Sequence, residues 1–314
     1  MVPEWAPDHE VTAERAARVV AEHAPHLAGL PVRRLDAGWD NTVFVVGEEW
    51  LFRFVHRAVA LPGARRELSV LGRLAGMDPP LPLAVPVPRV VGSAPAAGAD
   101  AAATPWPFWG AHLVPGVELA AAGLPDAART GVAAALGAFL RALHGPDLAR
   151  WGAEAGLPVD PIRRADAAGR VVPLARERLD RLAAAGVRPP EARVVDLLDR
   201  AAALGPAQGH VVLVHGDLHV RHVLVDRGVA TGVIDWGDTA LADPCVDLMV
   251  GWAAFSGPAR AAFLAAYGPV PADRALRARA LAVGVSAALA EQAAHDGLTE
   301  LLAEALAAIR RAAD

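Results

Sequence analysis

Lysine is missing from this 314-residue chain: all 30 basic residues are arginine, and asparagine occurs once, at Asn41. Any site that usually relies on a lysine ammonium or an asparagine amide must use another group here. Cysteine is nearly missing as well. The single Cys245 excludes an internal disulfide and is compatible with a reducing compartment. Aromatic residues make up 5%, there is no basic run, and the net charge is −5 with a pI near 6.1, so the electrostatic footprint of a nucleic-acid binder is absent. Long apolar runs are absent too. Hydrophobic content reaches 54% and mean hydropathy +0.30, but much of the excess is alanine, and the stretches 248–259 and 280–290 fall short of the ~18 residues that span a bilayer. Residues 1–10 carry proline and acids where a secretory signal has basic residues and then an apolar run, so the expectation is a cytoplasmic protein without a membrane partner.

The patterning that is present changes along the chain. Residues 11–24 read as a short amphipathic helix. Val43 to Val46 and Trp50 to Val55, joined by Gly47-Glu48-Glu49, read as a β-hairpin, preceded by a polar turn over 35–42 that contains Gly38 and Asn41. Leu68, Leu71 and Leu74 mark a helix over 65–74. A proline-dense connector follows at 79–88, then an Ala/Gly loop at 94–104 expected to be mobile, then a strand over 109–114 that ends at Pro115-Gly116. There we place the boundary between an N-terminal lobe, 1–114, and a mainly helical C-terminal lobe, 115–314. In the second, Leu136, Phe139, Leu140 and Leu143 share a helix face that stops at His144-Gly145-Pro146. Helical periodicity resumes near 172–185, 190–204, 258–267, 273–294 and 297–312, interrupted by a β-rich stretch at 211–236.

That stretch carries the densest chemistry. An apolar strand, Val211 to Val214, delivers His215-Gly216-Asp217 into a loop; a second strand follows; a third runs to Ile234 and ends in Asp235, so two carboxylates emerge from what read as adjacent strand ends. Phosphoryl transfer needs a carboxylate that orients and deprotonates the incoming hydroxyl, together with metal ions that neutralise the phosphates. Asp217 suits the first role and Asp235 the second. Five positions after Asp217, where kinase loops carry a metal ligand, stands His222. Two readings of His222 stay open, a place in the metal shell and a structural hydrogen bond within the loop, because Mg²⁺ prefers oxygen ligands. A zinc cluster of His210, His215, His219 and His222 lacks the companion cysteines and regular spacing of such sites. Asp243 and Asp247 flank a helix start at Pro244 and read as loop braces or caps.

His215-Gly-Asp-Leu-His, Ile234-Asp-Trp and Asp243-Pro-Cys-Val-Asp247-Leu together resemble the aminoglycoside phosphotransferase family. His222, where most relatives have asparagine, is similar to the macrolide phosphotransferase branch. Phe139-Leu-Arg-Ala-Leu-His144 is similar to the family's first C-lobe helix, and the resemblance extends over nearly the whole chain, least in the terminal helices. It implies an α+β, protein-kinase-like fold of two lobes, a β-rich nucleotide-binding lobe and a helical lobe with the catalytic loop and acceptor site. It implies transfer of the γ-phosphate of ATP or GTP, with Mg²⁺, to a hydroxyl of an antibiotic or similar small molecule, by a monomer or dimer. The loop at Gly38 and Asn41 would cover the phosphates. Arg53 would stand in for the family's lysine and be held by Glu67, against the alternative of an ordinary strand arginine. The connector from His112 to Val114 would meet the base. Glu291 and Asp296 are candidates for a cationic acceptor or members of a solvated helix face, and Trp252 lines an apolar acceptor wall or fills the core. A metabolite kinase of the same fold and a nucleotide-binding pseudokinase are the rival functions.

Overall fold

The computed structural model describes residues 7–37, 40–95, 105–187, 189, 191–207 and 209–314, without the side chains of 36 and 37. Gly38 and most of the Ala/Gly loop at 94–104 therefore lie outside the described residues. Two compact units emerge, Met1–Pro80 with Val85–Val114, and Leu81–Ala84 with Pro115–Asp314.

The first unit is an antiparallel sheet with helices. Strands β1 (Val32–Ala37), β2 (Asn41–Val46), β3 (Trp50–Val55), β4 (Val90–Ala94) and β5 (Trp106–His112) lie in the order β1-β2-β3-β5-β4. Alternation of side chains sends Phe44, Phe52, Phe54 and Phe108 to one core with Val19 and Val20 of helix α1 (Ala13–His23). Thr12 caps α1 by accepting from Arg15 N–H. Helix α2 (Leu61–Ala75) begins with proline in its first turn and buries Glu67 among Ala64, Val70, Leu71 and Leu74. The sequence reading placed a turn over 35–42. The structure instead extends β1 through Ala37 and starts β2 at Asn41, with Ala37 opposite Thr42 and a register shift between Arg34 and Asp36. The extra residue there hides the alternation that marks a strand. Likewise β5 starts at Trp106 and ends at His112 rather than running over 109–114.

The second unit is helical with two small sheets. Strands β6 (Val117–Glu118), β8 (Val223–Asp226) and β9 (Val229–Val233) form one, and β7 (Val212–Val214) pairs with β10 (Ala240–Ala242) in the other. Asp217 and Asp235 thus do not leave neighbouring strands, as the sequence suggested; β7 has taken β10 as its partner. Strand β10 escaped the reading because Ala-Leu-Ala has no strand composition. Arg227 and Gly228, both at positive φ, close the two-residue β8–β9 turn. Part of the proline-rich connector joins this unit: Ala84 N–H donates to Thr231 O and Ala84 O accepts from Val233 N–H.

Helices α3 (Thr130–Leu143), α4 (Pro146–Glu154), α5 (Val172–Ala184), α6 (Ala192–Ala202), α7 (Cys245–Ala253), α8 (Gly257–Tyr267), α9 (Ala272–Asp296) and α10 (Thr299–Ala313) complete it. Helix α9 packs on α5, α6, α7 and α10, and its inner face is mainly alanine, with Gly284 and Ser286, which permits close approach on several sides. Helix α4 was read as a stop; Pro146 ends α3 but also occupies the first turn of the next helix, where its missing N–H costs nothing. No described helix is long and apolar enough to cross a membrane.

Candidate active site

The loop after β7 is fixed from below by a carboxylate. Asp247, fully buried in the first turn of α7, accepts from His215 N–H (2.7 Å) and Gly216 N–H (3.0 Å). It also accepts from His144 Nε2 (3.2 Å), whose Nδ1 in turn faces the Tyr267 hydroxyl at 3.0 Å. Burial pushes the Asp247 carboxyl up, but the hydrogen bond and charge of His144, with help from His215 and Gly216 N–H, hold it below the usual carboxylate value. Burial pushes the Tyr267 hydroxyl up to about 12, so it stays protonated beside His144 Nδ1. Gly216 sits at φ +92°, and a Cβ there would come within 2.2 Å of Asp238 O, so the loop admits no side chain at this point. Asp243 braces the same helix start, accepting from Cys245 N–H and from Arg274. Both acids are loop braces, as the sequence suggested.

Asp217 follows, with its side chain about one-third exposed. Its N–H donates to His215 Nδ1 (3.2 Å), and His215 Nε2 donates to Ile234 O (2.9 Å), which ties the loop to the residue before Asp235. Burial above all keeps His215 and His219 below the ordinary imidazole value. Both nitrogens of His215 are engaged within the protein, so the four-histidine zinc cluster is not assembled. Among the described residues the one group with metal-like spacing is Asp217, His219 and His222, whose ligand atoms lie within 4.8 Å of one another. Hydrogen bonding decides what that group presents. His219 Nδ1 accepts from Arg221 N–H (3.3 Å), which leaves Nε2–H directed at Asp217 Oδ2, 3.6 Å away. His222 Nδ1 donates to Asp217 O (2.7 Å). One N–H thus faces the carboxylate and the other holds the backbone carbonyl of the same residue, so both rings brace Asp217.

The same bond turns His222 Nε2 toward Asp235, with 3.5 Å between Nε2 and Oδ2. The loop hydrogen bond and the approach to Asp235 are made by opposite nitrogens of one ring. Asp235 itself is held at φ +68°, an uncommon conformation that aspartate tolerates better than most residues. One imidazole nitrogen and one carboxylate oxygen at this separation fit a divalent cation that takes its other ligands from phosphate or water. A further partner escaped the sequence reading: Arg164 Nη2 donates to Asp217 Oδ1 (3.1 Å) and Asp238 Oδ2 (2.9 Å). It lies 53 positions from Asp217, outside any periodic element, so no local pattern signals it.

In the first unit, Arg53 Nη1 donates to Glu67 Oε1 at 2.9 Å, and Glu67 is 2% exposed. With its amide oxygen facing the guanidinium, Asn41 accepts from Arg53 Nε (3.2 Å) and Nη2 (3.1 Å). Three of the expected nucleotide residues are thereby brought together. His112 ends β5 with its ring against Trp50, centroids 4.3 Å apart, and Leu113 N–H donates to Glu49 O. Val114 is the last residue of the unit. Arg57 pairs with Asp40 at 3.0 Å.

The acceptor candidates have local partners of their own. Glu291 on α9 is gripped by Arg181 through both carboxylate oxygens (2.6 and 3.1 Å), and Asp296 accepts from Gln292 one turn earlier. Trp252 is buried in α7 and lines a pocket of ≈ 480 Å³ with Leu264, Pro269 and Val270. Phe255 fills the core beside Phe263.

Solved structures share this fold. The complex of APH(2″)-IIIa with GDP and kanamycin is 21% identical, over 95% of this chain and 97% of that one, at a TM-score of 0.65. Macrolide 2′-phosphotransferase MphH from Brachybacterium faecium is 26% identical, over 95% of this chain and 97% of that one, at a TM-score of 0.56. A 43-residue stretch is 44% identical to the uncharacterized protein YcbJ of Bacillus subtilis (strain 168) and spans 13% of this chain and 14% of that protein. The description "Phosphotransferase enzyme family" matches residues 31–282, and the chain belongs to that family.

Proposed function

We propose that the chain transfers the γ-phosphate of ATP or GTP to a hydroxyl of an antibiotic, an aminoglycoside, macrolide or similar small molecule. The observation that carries this is the constellation in the second unit: a partly exposed Asp217 whose loop is locked by Asp247 and His215, beside a His222–Asp235 pair. In this reading Asp217 Oδ2 takes the proton of the acceptor hydroxyl as its oxygen bonds to the γ-phosphorus. The bond from that phosphorus to the bridging oxygen breaks, and the nucleoside diphosphate leaves. Asp235 and His222 would hold Mg²⁺, which when bound offsets the charge on the phosphates. In the first unit, Arg53, held by Glu67 and Asn41, is assigned to the nucleotide phosphates, with Gly38 in the covering loop and His112 to Val114 at the base.

For the acceptor, the pairing of Glu291 with Arg181 and the apolar surroundings of Trp252 favour a large, mostly apolar molecule over a polycation. Glu291 and Asp296 remain the acidic candidates and Trp252 the apolar one. The resemblance to MphH points the same way, and the guanine nucleotide in the APH(2″)-IIIa complex supports GTP as a donor. The test is a mass-shift screen of erythromycin, kanamycin, gentamicin and a set of hydroxylated metabolites, with ATP and GTP in parallel. Gain of one phosphate by an antibiotic supports the reading; gain by a metabolite alone replaces it with a metabolite kinase. Nucleotide binding with no acceptor phosphorylated replaces it with a binding protein.

A further inference from the structure

We propose that Arg164 is a positioning residue of the phosphotransfer reaction, acting through Asp217; this rests on the assignment of Asp217 as the base. The guanidinium sits at the carboxylate by construction. Strand β7 delivers Asp217 and pairs with β10. The segment after α4 is strapped to β10 in turn: Leu241 N–H donates to Pro158 O (2.9 Å) and Asp160 N–H to Leu241 O (2.8 Å). Asp160 then folds the chain back on itself, its two oxygens accepting from Arg164 N–H (2.7 Å) and Ala165 N–H (2.9 Å). Two non-glycine residues in this turn, Asp160 and Arg163, adopt positive φ, so the surrounding contacts over-determine its path. A continuous hydrogen-bonded route therefore runs from the backbone of Arg164 to the strand that presents Asp217.

The side chain, 18% exposed, ends with one nitrogen shared between two acids. Asp238, the second, packs its backbone carbonyl against Gly216, where a Cβ would otherwise lie. Arg164 thus has Asp238 on one side and the catalytic carboxylate on the other. Holding Asp217 Oδ1 selects which oxygen does the work. Oδ2 lies 3.6 Å from His219 Nε2 and 3.9 Å from His222 Nδ1, beyond good hydrogen-bond length, and is the oxygen left to receive a proton. Without Arg164 the carboxylate is free to turn about its last torsion, and Asp238 adds an uncompensated like charge nearby. A planar guanidinium suits this bridging task, and a lysine ammonium, being a point charge, would do it in part.

The test compares Arg164→Ala, Arg164→Lys, Asp217→Asn and the double variant Arg164→Ala/Asp217→Asn, using erythromycin, kanamycin and whichever further acceptor the screen identifies. Expected for Arg164→Ala is a fall in kcat of about 10- to 100-fold with KM for nucleotide and acceptor within about 2-fold, the signature of lost alignment. Thermal melting should match the parent. Arg164→Lys should recover part of kcat, and the double variant should lie within about 2-fold of Asp217→Asn, since Arg164 has nothing left to position. Parental kcat in Arg164→Ala, a loss confined to KM, or a full further loss in the double variant overturns the role. Should Arg164→Ala fail to fold, the Lys variant decides by the same kcat criterion. Parental turnover in Asp217→Asn defeats the assignment of the base itself and the Arg164 role with it, a result distinct from Arg164→Ala failing alone.

Discussion

At the scale of single residues, the proposed function gives Asp217 and Asp235 different duties, and the difference is measurable. Asp217→Asn keeps the shape and removes the proton acceptor. Turnover should fall by about 10² to 10⁴ while nucleotide affinity stays nearly intact, as single-turnover kinetics and calorimetry would show; unchanged turnover removes Asp217 from the base position. Asp235→Ala removes one of two facing ligand atoms and leaves His222 Nε2 without its partner carboxylate. The expected outcome is loss of the metal-dependent part of nucleotide binding, read by titrating nucleotide with and without Mg²⁺. Normal Mg²⁺-nucleotide affinity in that variant would take Asp235 out of the metal shell. His215-Gly-Asp217 and Asp235 stand out in the sequence because phosphoryl transfer calls for carboxylates of this kind. Arg164 and Asp238 do not: they reach Asp217 through side chains from a loop and from the segment after Asp235, and nothing in their neighbours' spacing announces it.

At the scale of elements, α7 matters more than its nine residues suggest. Its first turn inserts Asp247 under the His215–Asp217 loop, where the carboxylate satisfies two backbone N–H groups that β7 has ceased to pair. Asp247→Ala leaves both N–H groups buried without an acceptor. At ~1–3 kcal/mol for each orphaned donor, a stability loss of about 2–6 kcal/mol is expected in urea unfolding. Asp247→Asn, which retains one acceptor oxygen, should lose less; equal losses would mean that the carboxylate's hydrogen bonds are not what holds the loop. The bracing role could be read from Asp243-Pro244 and Asp247 at a helix start, but its target could not, since 31 and 32 positions separate Asp247 from the loop it holds. Long helices with clear periodicity, α5, α8, α9 and α10, were legible almost to their ends. Short ones with ambiguous signals were lost: Pro146 reads equally as an end and a beginning.

At the scale of the molecule, titratable groups whose values shift on folding link stability to pH in two separate ranges. His215 and His219 are held below the ordinary imidazole value of 6.5, chiefly by burial. The unfolded chain then takes up protons that the folded chain refuses, so their contribution is complete above about pH 6.5 and drains away as the pH falls toward the folded values. Asp247 and Asp126 behave as depressed acids. Burial works against them, but His144 on Asp247 and Arg311 on Asp126 prevail and hold both below the ordinary 3.8. Their contribution is complete above about pH 3.8 and is lost only as the pH drops further. Acid should therefore weaken the fold in two stages, a first decline just below neutrality and a second in the range where carboxylates protonate. Urea midpoints taken from about pH 8 down to about pH 3 would resolve them. His219→Gln, which has no imidazole to keep neutral, should flatten the first stage and leave the second. A midpoint that stays level between about pH 7.5 and 5 in the parent chain would mean that the buried histidines do not resist protonation.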